Sequence, residues 1–392
     1  MIARSLILPQ THSFFLFGAR GTGKTSLLHE LWNHSALYID LLNLETEARY
    51  QAEPENLYKE LSQQNPRGQG TVIIDEIQRV PKLLDVVHRK IEETKLQFIL
   101  TGSSARKLKS GAANLLAGRA FVFHLFPFTA EEIGSKFDLL DALQYGTLPK
   151  VVTFEDTLEK RRFLKSYGLT YLKEEVWGEQ LIRKAEPFRK FLPLAAQTHG
   201  QVVNYSKIAR DVGVDDTTVQ NYFSILEDTL VGFLLPAYSG SIRKQLRSTP
   251  KFYLFDNGVK RALEGTVDFP LVHGSFEYGT LFEQFVIVEI MRRVAYAEIE
   301  LGFSYIATEG GAEIDLVLSR GTKVIALIEI KSSSKIDPQD LRHLVIFKDS
   351  FKGAKSFCLY GGEIEFQEDG IAILPWKKGI EQILSVILPK PS

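Results

Sequence analysis

The chain has 392 residues and a formal net charge of −1, with 44% hydrophobic and 24% charged residues. This composition is that of an ordinary globular protein and excludes a disordered chain, a collagen or a disulfide-dense scaffold, and the length predicts roughly two to four domains. Cys358 is the single cysteine, and no apolar run has the length of a secretory signal or a membrane span. We therefore expect a cytoplasmic protein without a membrane partner.

The first 130 residues alternate short apolar runs with helical patterns. The runs predict strands near residues 13–17, 36–40, 71–75, 97–101 and 120–126, and a helix is predicted at 105–116. Strands that are apolar throughout and separated by helices are typical of a parallel sheet covered on both faces. An α/β core is expected here.

Beyond Pro127 the pattern changes. Residues 128–195 are predicted to be mostly helical, a hairpin is predicted between 234–238 and 252–255, and a long helix at 279–293 follows. The last predicted elements are strands near 301–307, 313–319, 323–330, 355–360 and 370–374, with a helix near 338–349. Strands and helices thus return in the C-terminal part of the chain.

A glycine-rich loop follows the first predicted strand and opens the next helix. Residues 18–25 read Gly-Ala-Arg-Gly-Thr-Gly-Lys-Thr and fit the phosphate-loop pattern G-x-x-x-x-G-K-[ST]. In this pattern backbone N–H groups surround a phosphate, the lysine (Lys24) reaches the β- and γ-phosphates, and the hydroxyl (Thr25) binds Mg²⁺. ATP is therefore expected to bind at Gly18, Ala19, Arg20, Gly21, Thr22, Gly23, Lys24, Thr25 and Ser26.

Paired acids end the predicted strand at 71–75. Asp75 is expected to hold Mg²⁺, and Glu76 is placed to act as general base for the attacking water. Ser103 follows the strand expected beside the phosphate-loop strand, where a polar side chain senses the γ-phosphate or positions water. Thr101 and Ser104 compete for that role.

Together these residues resemble AAA-type ATPases, specifically a prokaryotic group with a G-P-R-x-x-G-K-T loop and a D-E-[IV]-Q motif. The matches are residues 18–25, where Ala19 replaces the usual proline, and Asp75-Glu76-Ile-Gln78. Residues 116–119 and 127–132 also resemble the end of that domain. The resemblance implies the fold, the order of strands in the sheet and a role for Arg119 at a neighbouring subunit's nucleotide, hence a homo-oligomer, ring or dimer.

Residues 206–222 have the pattern of a helix-turn-helix. Ser206 is expected to cap the first helix, Gly213 to permit the turn, and Asp215 or Asp216 to cap the second helix. With the following hairpin this predicts a winged helix whose exposed early turns contact double-stranded DNA, through Thr217, Thr218, Gln220 and Asn221. The acids in the motif favour the alternative, a winged helix used for packing or subunit contacts.

A basic stretch adjoins that motif. Residues 239–262 hold six basic side chains and one acid, although the whole chain is near neutral; the six are Arg243, Lys244, Arg247, Lys251, Lys260 and Arg261. Phosphate binding needs local rather than global positive charge, so the stretch predicts a DNA contact.

An acid followed about fourteen residues later by E-x-K resembles the restriction-endonuclease-like nucleases. The acid is Asp315 and the triplet is Glu329-Ile-Lys331. Residues i and i+2 of a strand share a face, so Glu329 and Lys331 point together. Asp315 joins them only if the connecting loop has odd length, such as three residues with Gly321 left-handed, or contains a bulge. Asp315 and Glu329 would then bind Mg²⁺ or Mn²⁺, with Glu283 as a further ligand and Glu313 as the rival acid.

These observations predict an α/β protein: a P-loop NTPase domain (1–135), a helical lid or linker (136–195), a winged helix (196–262) and a restriction-endonuclease-like PD-(D/E)XK domain (263–392). The expected function is ATP hydrolysis coupled to DNA binding and metal-dependent DNA cleavage. The catalytic residues would be Lys24, Glu76, Ser103, Arg119, Asp315, Glu329 and Lys331. The alternative is a nucleotide-dependent switch whose inactive nuclease fold recruits a partner protein.

Overall fold

The first third of the chain is built on a parallel sheet. The computed structural model describes residues 2–32, 35–64, 68–103, 116, 118–171, 185–240, 249–308 and 311–388. Its first sheet has the order β2-β3-β4-β1-β5, and every pair of neighbours is parallel. The strands are β1 (Phe14–Phe17), β2 (Ala36–Asp40), β3 (Gln69–Asp75), β4 (Lys95–Gly102) and β5 (Phe121–His124). The predicted parallel α/β core is confirmed.

Both faces of this sheet are covered, as the apolar runs predicted. Along β1, Phe14 and Leu16 pack into one apolar core while Phe15 and Phe17 pack into another, because successive side chains of a strand point to opposite faces. The covering helices are α1 (Lys24–Trp32), α2 (Leu44–Ala52), α3 (Glu55–Gln64) and α4 (Leu83–Glu93). Most of the helix predicted at 105–116 lies outside the described residues.

The middle of the chain is mainly helical. It contains α5 (Ala130–Ile133), α6 (Leu139–Tyr145), α7 (Pro149–Thr153), α8 (Thr157–Tyr171), α9 (Ala185–Gln197), α10 (Tyr205–Val212), α11 (Asp216–Asp228) and α12 (Asn257–Glu264). Between α11 and α12, β6 (Gly232–Leu235) and β7 (Lys251–Leu254) pair antiparallel, which confirms the predicted hairpin.

The C-terminal part has a mixed sheet with the order β12-β13-β11-β10-β9-β8. Its elements are α13 (Phe276–Tyr296), β8 (Gly302–Ala307), β9 (Glu313–Arg320), β10 (Lys323–Lys331), α14 (Arg342–Lys348), β11 (Lys355–Tyr360), β12 (Phe366–Glu368), β13 (Ile371–Pro375) and α15 (Trp376–Ile387). The apolar side chains of α13 and α15 pack on one face of this sheet, whereas Leu344 of α14 packs on the other. In the described part of the chain, no helix combines the length and the apolarity that a membrane crossing needs.

Buried polar contacts join the three parts. Arg292 of α13 is buried and donates to the carbonyl oxygens of Phe128 (3.0 Å) and Phe255 (2.7 Å) and to the hydroxyl of Thr147 (3.0 Å). One turn earlier, Glu289 accepts a hydrogen bond from the N–H of Ala130 (2.9 Å). Buried polar groups are costly without partners, so these bonds specify how α13 packs against the first two parts.

Candidate functional site

The phosphate loop connects β1 to α1 and encloses its own lysine. Gly21 and Gly23 have φ of 81° and 93°, values that side chains with a Cβ rarely adopt. A Cβ at Gly18 would lie 2.4 Å from the carbonyl oxygen of Leu125, so the close approach of β5 also requires glycine there. Lys24 is buried and its Nζ donates to the carbonyl oxygen of Gly18 at 2.7 Å. An anion held by this loop would therefore meet an ammonium as well as backbone amides.

The helical segment packs directly over this loop. The Tyr167 hydroxyl of α8 donates to the carbonyl oxygen of Arg20 at 2.9 Å. A Cβ at Gly23 would lie 3.6 Å from the ring of Pro149, the first residue of α7. The loop thus lies between the parallel sheet and α7–α8. Sequence patterns do not predict this packing, because it joins residues more than 120 positions apart.

Asp75 lies at the end of β3 and accepts hydrogen bonds from three hydroxyl groups. Thr25 Oγ1 donates to Asp75 Oδ2 at 3.0 Å, and Tyr38 and Thr101 donate to the same carboxylate. Burial, together with the adjacent Asp75 carboxylate, raises the pKa of Tyr38. The structure therefore brings Thr25 and Asp75 together, as their proposed shared Mg²⁺ requires. Tyr38 and Thr101 complete this oxygen-rich cluster.

Glu76, the next residue, is held in an unusual backbone conformation. Its φ is 59°, in the left-handed region that non-glycine residues seldom adopt, and such strain is often found at functional sites. Gln78 Nε2 donates to the Glu76 carboxylate and, at 3.2 Å, to Ser103 Oγ. Ser103 Oγ lies 3.4 Å from Glu76 Oε2. The structure thus brings Glu76 and Ser103 together and adds Gln78, which the D-E-I-Q motif contained but to which no role was predicted.

Arg119 lies at the other end of the sheet. It precedes β5, whereas the phosphate loop follows the end of β1, and these two strands are parallel neighbours. Its side chain is 38% exposed and forms an ion pair with Glu92 of α4. A role for Arg119 at the nucleotide of its own chain is therefore excluded, and the predicted role at a neighbouring subunit stays a prediction.

The helix-turn-helix pattern corresponds to α10 and α11. Gly213, with φ of 80°, ends α10, and Asp215 caps α11 by accepting from the N–H of Thr218. The prediction that Ser206 caps α10 is wrong: Asn204 accepts from the N–H of Lys207, since the helix begins two residues earlier than expected. The candidate DNA-contacting side chains Thr217, Gln220 and Asn221 are exposed, and Thr218 is half-buried.

The basic stretch does not form the expected surface in the described residues. Lys251, Lys260 and Arg261 are buried and paired with Glu313, Glu264 and Glu277, respectively. Arg243, Lys244 and Arg247 lie outside the described residues. Composition counted these charges correctly but could not reveal that folding removes half of them from the surface.

The β9–β10 hairpin brings the predicted nuclease residues together. Its loop has two residues, Gly321 and Thr322, not the three considered above, and the ladder shifts by one residue between Val324 and Ala326. The sequence analysis expected an odd loop or a bulge within the loop, whereas this bulge lies at Ile325 of β10; it has the same effect on the register. Asp315 and Glu329, which follow the Leu316–Ile328 pair, share one face, and Asp315 Oδ2 accepts from the N–H of Ile330 at 2.7 Å.

Burial and mutual repulsion define the electrostatics of this carboxylate cluster. Lys331 Nζ donates to Glu329 Oε1 at 2.7 Å, whereas Glu329 Oε2 is buried without a hydrogen-bond partner. Burial, together with the Asp315 carboxylate, raises the pKa of Glu329 to about 9 and that of Glu283 to about 7. Burial also raises the pKa of Asp315. These shifts arise mainly because burial disfavours the charged form of each carboxyl group, and the neighbouring carboxylates add to them.

A surface cavity of about 410 Å³ opens over these acids. Its lining includes Asp315, Glu329 and Lys331, with Arg342 and His343 from the start of α14. The cavity thus combines the cationic groups of Lys331 and Arg342 with carboxyl groups, and the first kind of group suits a phosphate and the second a cation. Arg342 and His343 were not predicted, since nothing in the local sequence connects them to β9 and β10.

The donor set fits a divalent cation, with one restriction. Carboxylate oxygens are the ligands that Mg²⁺ and Mn²⁺ prefer, and the unpartnered Glu329 Oε2 is an available one. In the described ranges, however, no group of three or more His, Cys, Asp or Glu side chains is arranged to hold a metal ion. Glu283 instead accepts from the Tyr253 hydroxyl at 2.8 Å. A cation would therefore use Asp315 and Glu329 together with water and phosphate oxygens, as Mg²⁺ often does.

Comparison with known families finds matches to three successive parts of the chain. Residues 10–134 match a family described as an AAA domain. Residues 136–268 and 278–378 match two families described as domains of unknown function, DUF8612 and DUF4143.

Individual relatives extend over most of the chain. An uncharacterized protein of Mycobacterium tuberculosis is 26% identical over 310 residues, covering 78% of this chain and 68% of its own length. An uncharacterized protein of Haemophilus influenzae is 22% identical over 407 residues, covering 95% and 97%. Among solved structures, the Aeropyrum pernix ORC1 protein in complex with DNA is 14% identical, with a TM-score of 0.28 and coverage of 66% of this chain and 86% of that chain. The ORC2 protein of the same organism (ADPNP-ADP complexes) is 15% identical, with a TM-score of 0.33 and coverage of 66% and 87%.

Proposed function

We propose that the chain binds and hydrolyses ATP with Mg²⁺ at the phosphate loop. The observation that carries the proposal is the convergence of Lys24, Thr25, Asp75 and Glu76 at one end of the parallel sheet. Lys24 would give up its hydrogen bond to the Gly18 carbonyl oxygen and donate to phosphate oxygens instead. Thr25 and Asp75 would hold the Mg²⁺ ion that neutralises phosphate charge. Glu76 would accept the proton of the attacking water.

Two substitutions test this activity. We expect Lys24→Ala to abolish nucleotide binding and Glu76→Gln to retain binding but lose turnover, because only the first removes a phosphate contact. Steady-state phosphate release and fluorescent-nucleotide titration measure the two quantities. Glu93→Gln on the surface of α4 is a matched control. Unchanged turnover in both site variants would refute the proposal.

We further propose that the C-terminal part cleaves DNA with Mg²⁺ or Mn²⁺. Asp315 and Glu329 would hold the ion, which would lower the cost of forming hydroxide beside a phosphodiester. Lys331 would orient Glu329 and face the scissile phosphate, and the exposed turn of α11 would contact the DNA. Asp315 and Glu329 line the same cavity, and a buried oxygen of Glu329 has no hydrogen-bond partner; both observations support this proposal.

A plasmid-nicking assay tests cleavage directly. Wild type, Glu329→Ala and Lys331→Ala are compared in Mg²⁺ and in Mn²⁺, with and without ATP. Nicking by wild type that both substitutions abolish is the expected result. Equal nicking by all three proteins would assign the activity to a contaminant and refute the nuclease proposal.

The second candidate function is a nucleotide-dependent switch with an inactive C-terminal fold. The buried pairing of Lys251 with the acids of the cluster favours it, because an ammonium already compensates part of their charge. Slow hydrolysis, no nicking and no salt-sensitive affinity for DNA would together identify this function.

We propose last that Arg119 acts on the nucleotide of an adjacent subunit in a homo-oligomer. Its exposure and its distance from its own phosphate loop along the sheet support this placement. Mixing Arg119→Ala with Glu76→Gln subunits should restore part of the turnover that each variant lacks, since some interfaces would then combine an intact Arg119 with an intact Glu76. No restoration at any mixing ratio would contradict it.

A further inference from the structure

The hairpin of the middle part reaches the carboxylate cluster of the C-terminal part. Ala237, just beyond β6, bridges to Tyr305 of β8, and the N–H of Tyr238 donates to the carbonyl oxygen of Tyr305 at 2.6 Å. The Tyr305 hydroxyl donates to the carbonyl oxygen of Thr249 at 2.7 Å. Both ends of the β6–β7 connection are thus fixed to the edge of the C-terminal sheet. This contact positions β7 beside the acids.

Two side chains of β7 enter the cluster. Lys251 is only 6% exposed, forms an ion pair with Glu313, and has its Nζ 3.9 Å from Glu283 Oε1. Tyr253 donates its hydroxyl to the same Glu283 oxygen at 2.8 Å. These contacts place the Lys251 ammonium among the carboxyl groups of the cluster.

The carboxyl groups of the cluster outnumber its lysines. Glu283, Glu313, Asp315 and Glu329 surround two ammonium groups, those of Lys251 and Lys331. The buried Oε2 of Glu329 has no hydrogen-bond donor and is therefore available to a further cation.

We infer that Lys251 is an internal cation of this cluster and competes with a divalent cation for it. This inference rests on the proposed cation site at Asp315 and Glu329. A divalent ion held by Asp315 would meet the charge of Lys251, which already acts on the Asp315 carboxylate in this partly desolvated site, and like charges repel strongly there. Binding of the ion and docking of β7 therefore oppose each other, and by linkage each weakens the other equally. The middle part of the chain would thereby control cation loading of the C-terminal part.

Direct measurement of Mn²⁺ binding by the full chain tests the competition. The free ion is quantified by electron paramagnetic resonance for wild type, Lys251→Met and Lys251→Arg. Because methionine keeps the length of the side chain without its charge, we expect Lys251→Met to bind Mn²⁺ about tenfold more tightly or better. Arginine keeps the charge, so Lys251→Arg should bind within about twofold of wild type. Lys260→Met, which removes a buried ion-paired lysine of α12 instead, is the matched control.

Adding Asp315→Asn to Lys251→Met separates failure of the inference from failure of the site. Binding that is equal in wild type and Lys251→Met, and is lost with Asp315→Asn, would overturn the inference and leave the cation site intact. Binding that is absent in both, or that Asp315→Asn does not affect, would overturn the site and the inference together. Thermal unfolding is a second measurement: Mn²⁺ should raise the midpoint of Lys251→Met more than that of wild type, because it restores the missing positive charge. An equal rise in both proteins would contradict the competition.

Discussion

Replacing Glu289 by glutamine tests how the C-terminal helix α13 is joined to the first domain. Glu289 is buried, accepts from the N–H of Ala130, and its Oε2 has no hydrogen-bond partner. Burial is the main cause that raises its pKa from 4.5 to about 7, although Arg292 and the Ala130 N–H oppose the shift. The folded protein therefore binds this proton more tightly than the unfolded chain does.

The sign and the size of the effect follow by linkage. For a group whose pKa is raised on folding, the stabilising contribution is complete below the unfolded pKa and is lost as the pH rises through the folded value. For Glu289 the loss falls between about pH 4.5 and pH 7. At about 1.4 kcal/mol per pKa unit, it amounts to about 2–3 kcal/mol between pH 5 and pH 8. Glutamine does not titrate, so the variant should lack this decline.

Urea unfolding followed by circular dichroism measures the difference. We expect the free energy of unfolding of Glu289→Gln, relative to wild type, to rise by about 2–3 kcal/mol from pH 5 to pH 8. Comparing the two pH values removes any fixed cost of repacking the amide. Glu131→Gln, which removes an exposed carboxylate from the same interface, is the control. A constant difference between variant and wild type over this range would refute the reasoning.

Three further predictions follow from single contacts. Gln78→Ala removes the side-chain amide that donates a hydrogen bond to Glu76. The kcat for ATP should therefore fall about tenfold or more, while nucleotide affinity changes less than about twofold. Equal changes in kcat and affinity would indicate a structural role only. Deleting Ile325 removes the bulge and turns Glu329 and Lys331 to the opposite face of β10. Mn²⁺ binding should therefore disappear while ATP turnover persists. Retained Mn²⁺ binding would disprove the register argument. Asp215→Ala removes the N-cap of α11 and should lower the midpoint of thermal unfolding; an unchanged midpoint would show that the cap is not needed.

Local patterns in the sequence were sufficient to predict that the phosphate loop and the acids after β3 lie together. The loop at residues 18–25 and these acids are each defined by neighbours in the chain, and parallel strands bring their carboxyl ends to one edge. Gln78 is only two residues from Glu76 in the motif, yet its hydrogen bond to Ser103 depends on β4 lying beside β3. Its role could not be assigned before the strand order was known.

The arrangement of the predicted nuclease residues was likewise only partly determined by the sequence. The period of two in a strand already placed Glu329 and Lys331 on one face. The face of Asp315 depended on whether the hairpin had an odd loop or a bulge, and only the register at Ile325 decided it.

The basic stretch shows the limit most clearly. The sequence by itself determined the number and sign of its charges, as it determined the phosphate loop and the alternation of strands. Only the tertiary structure decided that Lys251 lies among Glu283 and Glu313 rather than on the surface. The physical reason is that the surroundings of a charged side chain are set by residues distant in the sequence. Whether a lysine contacts water, a phosphate or a buried carboxylate depends on residues tens of positions away, which only folding brings close.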